Sequence, residues 1–370
     1  MKACFMDLLS RLALTFTPGI GGTLARSLIS YCGGEEHIFK MPRHKLLRIP
    51  GIGEKTVNYI TQHKDAFNRA EEELKFVEKN NIKILFFSDC AYPKRLRLCE
   101  DAPILLYFKG NADLNHTPII SVVGTRMATE YGRDICNKLI EDLKSLHVVV
   151  VSGLAYGIDY ATHRACIKHE VATVGVLGHG LDRLYPAQHR SIAEKMIEQG
   201  GLLTEFPTGG KPDRENFPKR NRIIAGMADA TIVVEAGIKG GALITAEIAD
   251  SYNRDVFAFP GRIGDEYSEG CNYLIRNNKA MMLTGTADLL FAMGWDNENS
   301  LPVKQQMVLP IDLTVSEKLI FDQLKIRGQM SIDDLALQIN MPVSVLAMNL
   351  LNLEMQNIIR CLPGKTYSLN

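Results

Sequence analysis

At 370 residues the chain exceeds what one compact core organises, so two or three domains are expected. A 46% hydrophobic and 23% charged content is ordinary for a soluble globular protein, and a formal net charge of zero by itself speaks weakly against a nucleic-acid binder. Eight scattered cysteines without a C-x-x-C pair, and nine histidines without a ligand pattern, argue against zinc and a disulfide framework; reduced thiols suit a cytoplasmic protein. Asp7 and Arg11 interrupt the apolar start, so neither a signal peptide nor a membrane span is read there.

Residues 1–75 read as a helical domain containing a near-repeat. Pro18-Gly19-Ile20-Gly21 precedes a helix-like run, Thr23 to Ile29, and Pro50-Gly51-Ile52-Gly53 precedes another, Glu54 to Ile60. P-G-I-G between short helices is the turn of helix-hairpin-helix modules, where glycine lets backbone N–H groups meet a phosphate. A plain helical turn without a ligand explains it equally well. Residues 1–64 hold nine Lys/Arg against four Asp/Glu, a local +5. Gly51 to Thr56 superficially resembles a nucleotide-binding loop but lacks the first glycine and the preceding strand.

From Ile82 the pattern changes to strand-length apolar runs alternating with amphipathic helical stretches. Strands are expected at 82–87, 104–108, 119–123, 148–152, 173–177, 202–205, 231–235, 256–259 and 280–283. Such alternation predicts a parallel sheet covered on both faces, spanning a domain at 76–297. Five strand ends run into glycine turns: Gly124, Gly153, Gly178, Gly237 and Gly261. In an open parallel sheet these ends share the edge where ligands bind.

The most informative segment is Phe217 to Glu247. Lys219, Arg220, Asn221 and Arg222 open a helix, a strand follows, and Gly240-Gly241 precede a second helix. Arginine forks, glycine and a helix N-terminus together make a phosphate site. No nucleophile with a matched base accompanies them, so binding rather than bond-breaking is expected, with no catalytic residue, metal or cofactor.

Residues 298–311 read as a linker. Beyond it, a capping-box helix start at Thr314 to Glu317, a helix capped by Ser331, a third at Pro342 to Glu354 and a hairpin predict a winged-helix domain at 312–370. The third helix carries no Lys or Arg from Val343 to Glu354, which disfavours major-groove reading and favours a protein contact or a degenerate role.

The chain resembles one family, DprA/Smf, the DNA-processing protein of bacterial transformation. The resemblance rests on V-G-T-R at 123–126, S-G-L-A-Y-G-I-D at 152–159, E-F-P at 205–207 and F-P-K-R-N-R-I-I-A-G at 217–226. It continues through V-E-A from Val234, G-G-A-L-I-T-A-E-I-A to Ala249, V-F-A-F-P-G at 256–261 and G-C-N-Y-L-I at 270–275. It implies an extended Rossmann-like fold that binds single-stranded DNA, and a homodimer that protects that strand and loads RecA. By motif it implies Arg126 as the phosphate-binding arginine, Lys219, Arg220, Asn221 and Arg222 as the basic motif, and Ser152, Gly153 and Gly157 as the glycine loop. The dimer contact is implied near 274–290. Two departures stand out: Tyr156 occupies a position where the family often has arginine, which loses a charge and offers a ring for base stacking, and His189 stands where asparagine is usual.

Each candidate also has a structural reading. Arg126 could pair with Glu235 or Asp159, one of Arg220 and Arg222 could be pinned by a carboxylate, Asn221 could cap a helix, and Tyr156 and Phe217 could be core aromatics. Asp159, Glu205, Glu235 and Glu247 are the carboxylates to weigh for catalysis, and His179 the histidine. The alternatives are a nucleotide phosphoribohydrolase, for which residues 240–247 loosely echo the motif, and a nucleotide-sensing module.

Overall fold

All nine apolar runs become strands of one sheet, shifted at their ends by no more than two residues: β1 Lys83–Phe86, β2 Leu105–Gly110, β3 Ile119–Val123, β4 Val149–Ser152, β5 Ala172–Val176, β6 Gly201–Thr204, β7 Ala230–Val233, β8 Asp255–Ala258 and β9 Met281–Met282. This computed structural model describes residues 2–295 and 313–369, apart from 117, 211, 212, 214, 357, 363 and 364. The expected linker, 298–311, lies wholly outside the described residues. β3 is buried at every position, which is why it reads as apolar but for Ser121, whose hydroxyl pairs with that of Thr231 at 2.8 Å.

The strand order is β1-β2-β6-β5-β4-β3-β7-β8-β9. From β3 the chain winds outward through β4, β5 and β6, then returns to the other side of β3 for β7, β8 and β9. The order therefore reverses between β3 and β7, which pair in parallel with Val123 opposite Val233. A crevice opens at such a switch point, beyond the carboxyl ends of the strands. The strands from β3 onward pair in parallel as expected, while β1 and β2 add an antiparallel flank: they pair antiparallel with each other and β2 joins β6 antiparallel. Apolar content records burial and carries no direction.

The N-terminal helices Lys2–Phe16, Gly22–Cys32, Glu54–Thr61 and Lys64–Lys79 share a core with that antiparallel flank. Leu12, Leu28, Val57, Ile60 and Leu74 pack in one cluster with Phe86, Leu105 and Tyr107. The helical segment and the sheet accordingly form a single compact unit, Met1–Trp295, and Asp296–Asn370 forms a second.

The second unit is a winged helix. Helices Val315–Arg327, Ile332–Ile339 and Val343–Met355 pack Ile320, Leu335, Leu346 and Leu350 over a three-stranded sheet. Its strands are β10 Gln329–Ser331, β11 Ile359–Leu362 and β12 Thr366–Leu369, in the order β10-β12-β11. Thr314 and Glu317 make the reciprocal capping box, and the Ser331 hydroxyl accepts from the Asp334 N–H at 3.2 Å. Among the described residues no single helix is long and apolar enough to cross a membrane.

Candidate nucleic-acid interface

The crest of the sheet is built on backbone contacts. After β3, the Thr125 N–H donates to the Glu235 carbonyl at 2.7 Å, and the Ile158 N–H donates to the Thr125 carbonyl at 3.1 Å. Gly157 makes this approach possible. Its φ is +79°, and a Cβ there would stand 2.1 Å from the Thr125 carbonyl oxygen and 2.6 Å from the Arg126 Cα. Arg126 is thereby held on a fixed loop with its side chain exposed. Among the described residues it makes no ion pair; its guanidinium lies 5.8 Å from the centre of the Phe217 ring.

The opposite wall is the helix Asn216–Met227. Arg220, 6% exposed, reaches from it beneath the crest and donates to the Val176 carbonyl. Gly153 leaves room for this: a Cβ there would meet the Asp159 carboxylate at 2.3 Å and both terminal nitrogens of Arg220 at 2.8 Å. Burial pushes the Asp159 pKa up, and Arg220 and the Ala155 N–H oppose it; burial likewise pushes Arg220 down, with Asp159 opposing. A guanidinium keeps its proton in proteins, so a buried cation sits just under the crevice with its counter-carboxylate.

These walls enclose a groove of about 720 Å³ lined by Arg126, Phe217, Arg220, Asn221, Gly240 and Gly241 among others. Gly240 caps the helix Gly241–Ser251, whose first N–H groups have no intrahelical partner. A smaller cavity of about 110 Å³ adjoins it, adding Tyr156, His179 and Leu177 and sharing Arg126, Tyr185, Phe217 and Arg220. Cations and helix N–H groups suit phosphate oxygens, while exposed rings suit unstacked bases. Tyr156 is 44% and Tyr185 52% exposed.

The structure thus brings Arg126, Tyr156, Arg220, Asn221, Gly240 and Gly241 to one continuous surface. Ser152 is not presented there: it is fully buried and its hydroxyl donates to the Val122 carbonyl at 2.6 Å. Gly153 and Gly157 shape the site by making space and line neither cavity. Lys219 is exposed and pairs with Glu215 at 3.8 Å, outside both cavities. Arg222 lines neither cavity. It is paired with Glu205 and lies 3.9 Å from Asp101, so of Arg220 and Arg222 it is the arginine held by a carboxylate.

The carboxylates weighed for catalysis are otherwise engaged. Glu235 accepts from the Thr129 N–H at 2.9 Å, Glu205 holds Arg222, and Glu247 pairs with Lys279 at 3.3 Å. Among the described residues Asp159 is the one carboxylate lining the groove. His179 is buried; the Tyr185 N–H donates to its Nε2 at 3.2 Å, so Nδ1 carries the proton toward the Gly180 carbonyl at 2.9 Å and the ring braces a loop. His189, also buried, donates from Nδ1 to the Leu154 carbonyl at 3.1 Å, stacks on Tyr160 and meets the Tyr156 ring edge-on at 5.0 Å. The Tyr156 hydroxyl donates to Gln188 at 2.9 Å. Two contributors were not anticipated. Tyr185 lines both cavities from a loop without periodicity, and His163 is buried beneath the glycine loop, bridging Thr173 at 2.8 Å and the Gly153 carbonyl at 2.5 Å. Burial lowers the His163 pKa to about 4.

Comparison with known proteins bears on both units. Residues 83–294 match the DNA recombination-mediator protein A family, and residues 309–365 match the DprA winged helix domain. Protein Smf of Synechocystis sp. is 35% identical over 312 residues, covering 81% of this chain and 76% of that protein. DNA processing protein DprA of Streptococcus pneumoniae is 42% identical over 197 residues, covering 53% of this chain and 69% of its own length. The X-ray structure of DprA from Streptococcus pneumoniae superposes with a TM-score of 0.66 at 33% identity, over 75% of this chain and 95% of that one. The Helicobacter pylori DNA processing protein A, whose structure concerns a single-stranded DNA binding mode, shares the fold with a TM-score of 0.53 at 24% identity, over 58% of this chain and 96% of that one. The sheet with its switch-point groove and the appended winged helix therefore carry a sequence that belongs to the DprA/Smf family of DNA-processing proteins.

Proposed function

We propose that this protein binds single-stranded DNA in the groove at the β3–β7 switch point and acts as a recombination mediator in transformation. The observation that carries the reading is that Arg126 and Arg220 line one groove together with the Phe217 ring. Arg126 is the exposed phosphate contact. Arg220 supplies buried positive potential, and the orphan N–H groups at Gly241 add donors. Phe217, Tyr185 and Tyr156 offer stacking faces that tolerate any base. Family membership and the single-stranded DNA binding mode of the Helicobacter pylori relative support this ligand.

Protection of the strand, delivery to RecA and a homodimer around 274–290 extend the reading by resemblance. For the dimer, the supporting feature is the sheet's terminal strand β9, where Met281 is 56% and Met282 50% exposed. An edge strand with apolar side chains is a pairing surface.

Fluorescence anisotropy with a thymidine homopolymer over a salt series tests the ligand assignment. Arg126→Ala removes one charge-assisted contact and is expected to weaken binding about tenfold or more while leaving unfolding within roughly 0.5 kcal/mol of wild type. The salt slope should fall by about 0.7, the single-strand value for one phosphate. Wild-type affinity and slope in that variant would remove Arg126 from the interface.

A further inference from the structure

The two P-G-I-G turns of the N-terminal helices are structurally equivalent but have diverged in surface chemistry. Both turns hold their first glycine in the left-handed region, Gly19 at φ +77° and Gly51 at φ +81°. Their contacts are reciprocal. A Cβ on Gly19 would lie 3.8 Å from Thr56, and one on Gly51 would lie 3.9 Å from Leu24. Thr56 and Leu24 each follow the second glycine of their own turn by three residues.

The first turn leads into a helix that is docked on the sheet domain. A Cβ on Gly22 would stand 3.1 Å from the Ala102 carbonyl oxygen. Arg26, the one Lys or Arg between 17 and 32, donates to the Glu100 carbonyl and lies 5.2 Å from the centre of the Phe87 ring. The second turn is open. Residues 1–39 hold three Lys/Arg and three Asp/Glu, whereas residues 40–64 hold six Lys/Arg against Glu54 alone. The whole +5 of the N-terminal segment therefore lies on the second copy. Arg43, Lys45, Arg48 and Lys55 around this turn are exposed, and none makes an ion pair among the described residues. Arg43 bonds to Asn58 and so ties the two helices of the turn together.

We propose that this second hairpin, residues 43–55, is a separate nucleic-acid docking surface that holds the phosphate backbone of a DNA duplex. A cluster of cations without ion pairs and with a single carboxylate among them suits a polyanion, and the matched family regions, which begin at residues 83 and 309, do not include it. Duplex is the form that fits. Its bases are turned inward and its phosphates are regularly spaced, so cations on packed helices suffice. Three ring platforms of the kind single strands require are gathered in the groove, at Tyr156, Tyr185 and Phe217, whereas residues 43–55 carry no Phe, Tyr or Trp and have the exposed Tyr59 beside them. One molecule would then hold a single strand in the groove and a neighbouring duplex on the hairpin.

The test compares three full-length proteins: wild type, the triple variant Lys45→Ala/Arg48→Ala/Lys55→Ala, and a charge-matched control, Lys75→Ala/Lys79→Ala/Lys195→Ala, whose side chains are also exposed. Each is titrated with a blunt 20-base-pair duplex and with a thymidine homopolymer across a salt series. The hairpin triple is expected to lose about tenfold or more in duplex affinity at low salt, with a salt slope smaller by about 2 to 3. Its homopolymer affinity should stay within about twofold of wild type, and the control should match wild type on both. Unchanged duplex binding in the hairpin triple overturns the proposal, as does an equal loss in the control triple. Equal losses on duplex and homopolymer also overturn it, because the patch would then belong to the path of the single strand. Melting of each variant within 2 °C of wild type, expected for exposed sites, shows that the fold is intact; a larger drop in the hairpin triple would make these cations structural and equally defeat the idea.

Discussion

The switch-point groove and the third helix of the winged-helix unit are both places where proteins of similar architecture hold nucleic acid, yet their surfaces differ in kind. The groove gathers Arg126, Arg220, helix N–H groups and exposed rings. The helix Val343–Met355 has no Lys or Arg and exposes Val345, Met348, Leu351 and Met355, the last at 80%. An apolar helix face is a protein-contact chemistry, whereas a phosphate backbone needs cations. Architecture alone therefore says little about ligand, and the side chains decide.

The comparison can be broken first at Arg220, the buried cation whose charge opposes the effect of burial on Asp159. Arg220→Met leaves Asp159 buried without its counter-charge and is expected to cost about 3–5 kcal/mol in unfolding, together with loss of homopolymer binding. Adding Asp159→Asn should recover stability without recovering binding. Full activity in the single variant would show that the groove needs no buried cation. Acid separates the two units next. His163 is held neutral with its pKa lowered to about 4, so the unfolded chain takes up the proton first. Its contribution is intact above pH 6.5 and is lost as pH falls toward 4, by about 3 kcal/mol in all. Residues 313–369 contain no histidine, so this acid sensitivity belongs to the sheet unit. Calorimetry from pH 7 to pH 4 should show its transition moving down, and His163→Gln should flatten that dependence. Phe217→Ala removes a ring from both cavities and is expected to weaken strand binding by about 1–3 kcal/mol with the salt slope unchanged, since stacking releases no counterions. At the small end, Met348→Ala with Met355→Ala should leave homopolymer affinity within about twofold. A larger loss would place the winged helix on the strand after all.

Much of this is legible in the chain before any coordinates. Strands buried on both faces are mostly apolar, so β3 and β7 are readable despite Ser121 and Thr231, which satisfy each other, and five glycine-bearing strand ends point to one edge. The directions of β1 and β2 are not readable, because antiparallel and parallel strands bury the same side chains. β10, at three residues, is too short for any period to register. The basic motif shows the same limit and a way past it. Arg220 and Arg222 are two positions apart on a helix, about 200° around its axis, so they cannot share a face. One had to leave the groove, but only the position of Glu205 reveals which. Ser152 fails for the complementary reason: the last residue of a buried strand is itself buried, and its hydroxyl was spent on a neighbouring strand's carbonyl.

The reversal of strand order between β3 and β7 has a consequence for how this protein is made. Arg126 and Gly241 stand on opposite sides of the same cleft but more than a hundred positions apart along the polypeptide. A nascent or clipped chain that ends before β7 carries Arg126 and the helix Asn216–Met227 but lacks the Gly240–Gly241 turn that completes the lining. Under the proposed function the groove is completed last at Gly240 and Gly241, when β7 pairs with β3, and a bound strand would clasp the two halves of the sheet and slow their separation.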